Sequence, residues 1–257
     1  MNNFLSYEFP LKERIRLFMR LEHLFQQFDH CLQGTTVWDK RAAIDALHSI
    51  ITLFARNDIK SAILKELERH TSILTMISKN EDIDDSKLQS ILQELQAVSQ
   101  SLYQCNGKIG IAIIEGNELL KNVTQRTSIP GGSCSFDLPG FHYWLEQAPP
   151  QQHNDLAKWS ASFSDIRHAI ELVLRFIRQS SSPSQEIAQA GFFQDNLDQS
   201  SSYQLIQIRI DKTIPCYAEI SGGKHRFSIR FMMPPKDGGR PTQTQSDIPF
   251  EITRCLL

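Results

Sequence analysis

A change of hydrophobic period divides this chain. Up to about Gln179 the apolar residues recur every three or four positions, and from Tyr203 they recur every second position. The first period lines one side of a helix and the second one face of a strand, so helices followed by strands point to an α+β fold. We expect an N-terminal strand or arm over residues 1–9 and a mainly helical domain over 10–179, with a connecting loop at 127–139. A linker is expected over 180–202 and a smaller antiparallel β-strand domain over 203–257.

Pro10 is read as opening the first helix, where its missing N–H costs nothing. Leu11, Ile15, Phe18 and Phe25, with Leu17, Leu21, Leu24 and Phe28, give that helix a broad apolar face, opposite a stripe of Lys12, Arg16, Arg20 and His23. Further helices are expected over 39–55, 58–79, 118–125, 138–147 and 155–179. Asn80-Glu81-Asp82 breaks the third, Asp84-Asp85-Ser86 caps a fourth, and Asn106-Gly107 signals a turn. The Ser/Pro-rich run from Ser180 to Gln185 reads as flexible linker. Ile206, Ile208 and Ile210 alternate with Gln207 and Arg209 as a half-buried strand. Residues 215–220 and 226–232 read as a hairpin with Phe227, Ile229 and Phe231 inward, and 248–255 supplies a last strand.

The stretch from Thr127 to Pro139 contains two prolines, Gly131-Gly132 and Cys134, so it is a loop of its own design rather than helix. Three readings compete for it: an anion cradle, a cysteine-nucleophile site, and a corner joining helical body to sheet. A nucleotide cradle needs the lysine of a phosphate-binding loop or a glycine fingerprint after a strand, and neither is present. A hydrolase built on Cys134 needs a base such as His142 within hydrogen-bond reach, with a third group such as Asp137 to orient it. As a corner, the loop would set His142 beside the basic faces. The histidines and cysteines never reach metal-ligand spacing, and Asp82, Asp84 and Asp85 lack the glycine and terminal glutamate of a calcium loop.

Five scattered cysteines without a CxxC, and no secretory leader, lead us to expect reduced thiols in the cytoplasm. The longest apolar runs, such as 109–114, fall far short of the roughly 20 residues of a membrane helix. A net charge of −2 leaves no global field toward nucleic acid, so any cationic site is local. Arg16, Arg20 and His23 share a helix face, and Arg56 follows the second helix. Arg226 and Arg230 share the outward face of a strand, with Lys224 and His225 in the adjoining turn. Such faces suit a carboxylate-bearing peptide, because arginine offers paired donors. An RNA-binding module is the other candidate, against which stand the low net charge and the lack of an aromatic RNA-binding strand.

Several blocks, in order along the chain, resemble the ZapD family of bacterial cell-division proteins. They are Glu8-x-Pro10-Leu11 leading to Arg16, Arg20 and Glu22; Leu64-Lys65-Glu66-Leu67; and Ser128 to Pro139 followed by His142 and Trp144. Gly191-Phe192-Phe193-Gln194-Asp195-Asn196 and Ser221-Gly222-x-Lys224-x-Arg226-Phe227-x-Ile229-Arg230-Phe231 complete the set. The resemblance implies a non-enzymatic protein without cofactor that acts as a homodimer at the midcell division ring. It implies binding to the C-terminal tail of the tubulin-like protein FtsZ, filament bundling, and no membrane insertion or nucleic-acid partner. Matched position by position, the tail-binding residues are Arg16, Arg20, Arg56, His142, Lys224, Arg226 and Arg230. Glu115 and Glu118 stand where the resemblance leads us to expect basic residues.

Overall fold

The computed structural model describes residues 3–77, 85–104, 110–223, 225–235 and 237–256. The expected helix break at 80–82, the Asn106-Gly107 turn and Lys224 lie outside the described residues. In chain order the elements are β1 (Phe4–Pro10), α1 (Glu13–Gln33), α2 (Val37–Arg56), α3 (Ile59–Ile77), α4 (Asp85–Gln104) and α5 (Ile111–Glu115). Next come α6 (Glu118–Arg126), α7 (Pro139–Leu145), α8 (Pro149–Ser160) and α9 (Ser164–Gln179). The strands that follow are β2 (Ser184–Ala188), β3 (Phe192–Asn196), β4 (Leu205–Asp211), β5 (Tyr217–Gly222), β6 (Arg226–Met233), β7 (Thr242–Gln243) and β8 (Ile248–Cys255). The fold class is α+β. Two compact units result: a helical unit, Phe18–Leu172, and a strand unit, Met1–Leu17 with Val173–Leu257. Among the described residues no helix is long and apolar enough to cross a membrane.

In the helical unit, Phe18, Leu21, Phe25 and Phe28 of α1 are buried, as their spacing requires. A capping box starts α2: Asp39 N–H donates to Thr36 Oγ1 at 3.1 Å, and Thr36 N–H to Asp39 Oδ2 at 2.8 Å. Lys40 is buried and donates to the Leu32 carbonyl at 2.9 Å, in the last turn of α1 where carbonyls lack helical partners. Arg167 grips Asp29 with both amino groups, at 2.9 and 2.6 Å, which ties α9 to α1.

The single helix expected over 155–179 is two helices, separated by a 3₁₀ turn at Ala161–Phe163. That turn drives Phe163 into the core, with ring centroids 4.9 Å from Phe54 and 6.3 Å from Phe25. The loop at 127–139 joins α6 to α7 inside the helical unit. It is therefore not a corner between helical body and sheet.

The strand unit holds two antiparallel sheets rather than one. Their orders are β1-β4-β8-β2 and β3-β6-β5, with β7 on β6. Ile206, Ile208 and Ile210 of β4, Phe227, Ile229 and Phe231 of β6, and Ile248, Phe250 and Ile252 of β8 bury a shared core, so the sheets pack as a sandwich. Arg254 on β8 donates across to Asp195 Oδ2 on β3 of the other sheet at 2.7 Å, and to Glu186 Oε1 on β2 of its own sheet at 3.3 Å. Glu8 on β1 accepts paired bonds from Arg178 at 2.8 Å and one from Gln207 at 2.6 Å. Burial pushes the Glu8 carboxyl up, but these donors outweigh it and hold it below the ordinary range.

Pro10 ends β1 instead of opening α1. It pairs opposite Leu205 on an edge strand, the one place in a sheet where a missing N–H is tolerated. Part of the expected linker is also strand. β2 pairs with β8 and β3 with β6, and Ala190-Gly191 turns tightly between them. Both turn residues have positive φ, 45° and 70°, as a two-residue hairpin turn demands. A Cβ on Gly191 would stand 2.7 Å from the Thr244 carbonyl oxygen. Combining left-handed strain with overpacking, Gly191→Ala is expected to lower stability by about 2–4 kcal/mol. Urea unfolding measures this, and an unchanged midpoint would contradict the turn.

Candidate functional site

The cationic residues expected to bind a ligand are considered unit by unit. In the helical unit, Arg20 projects into solvent from α1, opposite the buried Phe18 and Leu21. Arg56 is exposed at the last residue of α2, where a cation offsets the partial negative charge of the helix end. His142 is exposed on α7, between the buried Phe141 and Trp144. Each is held outward because its helical neighbours fill the core. Among the described residues, none of these three side chains makes an ion pair or hydrogen bond. Glu118 is exposed and faces Lys121 at 3.7 Å, so its charge is partly answered within α6.

In the strand unit, Arg226 and Arg230 alternate with the buried Phe227, Ile229 and Phe231, so the pleat sends both arginines to solvent. Arg226 and His225 line a groove of about 460 Å³ with Gln194, Gly223 and Ser228. His225 and Gly223 also border an adjoining groove of about 270 Å³ that takes in Lys12. Arg230 stands opposite Glu219 in the ladder, which tempers its charge. Arg16 is already engaged: it donates to Glu13 at 3.0 Å and to the Pro10 carbonyl at 3.3 Å. The strand unit thus brings Arg226 together with His225 and leaves Arg16 serving the β1–α1 junction. The groove role of Lys12 was hidden because its loop neighbours are distant in sequence.

The other chemistry considered for the 127–139 loop lacks its geometry. No hydrogen bond joins the Cys134 thiol to His142 among the described residues, and Asp137 accepts from Arg126 at 2.9 Å. Successive turn bonds, Ile129 N–H to the Arg126 carbonyl and Gly132 N–H to the Ile129 carbonyl, coil the segment. Arg41 of α2 then fastens it, donating to the Ser133 carbonyl at 3.1 Å and Oγ at 2.9 Å. Those backbone N–H groups are spent within the loop and are not offered to a phosphate.

Comparison with known proteins agrees with the resemblance. The family model described as ZapD, cell division protein, matches residues 19–230. A cell division protein ZapD of Methylococcus capsulatus is 46% identical over 257 residues, covering 100% of both chains. Those of Aromatoleum aromaticum and Nitrosomonas europaea are 38% and 36% identical over 253 residues, each covering 98% of this chain and 98% and 95% of their own. The similarity runs along the whole chain at 46% identity, and the chain belongs to the ZapD family of cell division proteins.

Proposed function

We propose that this protein binds the C-terminal tail of FtsZ through its exposed cations and, as a homodimer, cross-links FtsZ filaments at the cytoplasmic division ring. The observation that carries this reading is the set of Arg20, Arg56, Arg226 and Arg230, exposed and without an ion pair among the described residues. By contrast, Arg167, Arg178 and Arg254 are all engaged with carboxylates. Within a family of cell division proteins, free guanidinium groups suit a carboxylate-bearing peptide. His142, Lys224 and Arg16 belong to the proposed set by their match to the family's pattern.

Energetics favour a polymeric target. Each exposed charge pair contributes only about 0–1 kcal/mol, so a single tail is held weakly. A symmetric dimer presents every site twice, and two-point attachment to a filament raises apparent affinity by about 10²–10⁴ without new contacts. Raising salt from 0.1 to 0.5 M shortens the screening length from about 10 to about 4 Å. Light scattering of bundles should therefore fall steeply over this range, with filament mass measured in parallel. Bundling that persists undiminished would count against an electrostatic site.

A further inference from the structure

A groove of about 600 Å³ lies in the helical unit between α2 and the 127–133 loop, lined by none of the cations proposed to bind the FtsZ tail. Its apolar wall includes Trp38, Val123, Ile129 and Phe141. Trp38 is 77% exposed and Ile129 45%, so two large apolar side chains face water beside an open cavity. One face of the Trp38 ring is occupied by the Arg41 guanidinium at 5.6 Å, which also lies 5.2 Å from Phe141. The two bonds to Ser133 use only Nη1 of Arg41, leaving Nε and Nη2 without a hydrogen bond among the described residues. The guanidinium is thereby held in place with donors to spare.

Charge selects the class of ligand. Arg126 is bonded to Asp137, and burial pushes His48 down toward its neutral form. Arg41 is thus the cation of the wall that makes no ion pair among the described residues, and Asp45 adds a carboxylate. A polyphosphate would meet too little positive charge here. A single carboxylate fits Arg41, and Asp45 can accept a peptide N–H. We propose that this groove docks an extended segment of a partner protein in which a large apolar side chain, laid on Trp38, is followed closely by a carboxylate bonded to Arg41. The volume falls within the roughly 300–1,000 Å³ range of ligand pockets and suits a few residues of extended chain.

The test is fluorescence polarisation of the full chain with a labelled peptide, acetyl-Ser-Phe-Leu-Asp-Ser-amide. Saturable binding is expected, weakened at least about tenfold by Trp38→Ala and by Asp→Asn in the peptide, as for loss of an aromatic anchor or a charge-assisted bond. Trp38 is exposed, so its removal should leave the melting curve unchanged, and Arg226→Glu should leave peptide binding unchanged. No saturable binding up to about 1 mM peptide, the weak limit of specific recognition, overturns the proposal. Equal binding by Trp38→Ala, loss on Arg226→Glu, or tighter binding of ADP than of the peptide overturns it as well.

Discussion

Phe250→Ala is expected to destabilise the strand unit by about 3–5 kcal/mol, the range for truncating a buried phenylalanine. Phe250 is 2% exposed, and its ring centroid lies 5.2 Å from those of Phe193 and Phe231. The three rings come from β8, β3 and β6, so the truncation opens a cavity where the two sheets meet. Each aromatic pair adds about 0.5–1.5 kcal/mol beyond area burial, which places the effect toward the upper end. Whole domains are stable by only about 5–15 kcal/mol, so this one change removes a large fraction. At about 4–8 °C per kcal/mol, the melting point of the strand unit should fall by at least about 12 °C. All three tryptophans, Trp38, Trp144 and Trp159, lie in the helical unit, so amide circular dichroism is the better readout. A change of less than about 4 °C, equivalent to at most about 1 kcal/mol, would contradict the shared core.

The strands that form this core were legible where one face is buried. Ile206, Ile208 and Ile210 and the Phe227-Ile229-Phe231 set alternate cleanly, and β8 runs from Ile248 to Cys255 as its pattern implied. β2 and β3 were not legible because their side chains are mostly exposed or half-buried and their pairing partners are 30 or more residues away. Local composition cannot register a ladder imposed by tertiary contact. The Ala190-Gly191 pair was the available signal, since glycine beside a short apolar run is how a tight hairpin is marked. The break before α9 was hidden for the opposite reason. Trp159, Phe163 and Ile166 keep helical spacing across the 3₁₀ turn, so periodicity alone shows no interruption. The cations were legible as outward faces, but the engagement of Arg16 by Glu13 and Pro10 was not. Nor was the fastening of the Pro-Gly-Gly loop by Arg41, 92 residues away.

Reversing Arg20, Arg56 and Arg226 together to glutamate is expected to abolish bundling. All three are exposed, and none makes an ion pair among the described residues. Each substitution replaces a weak attraction with a repulsion, a change of about 1 kcal/mol per exposed site. The two changes in the helical unit sum to about 2 kcal/mol, or about a 30-fold loss in affinity there, and the one in the strand unit removes about 1 kcal/mol. Two-point attachment compounds the loss, because both ends of a cross-link weaken. Exposed substitutions of this kind usually alter stability by no more than about 0.5 kcal/mol each, so the variant should fold. Light scattering that matches the unaltered protein would remove these arginines from the site.

Tail recognition is tested most directly by sedimenting FtsZ polymers with this protein, comparing intact FtsZ with a form lacking its C-terminal tail. Recognition of the tail predicts co-pelleting with intact polymers and its loss with tail-deleted ones. Equal co-pelleting with both would contradict it.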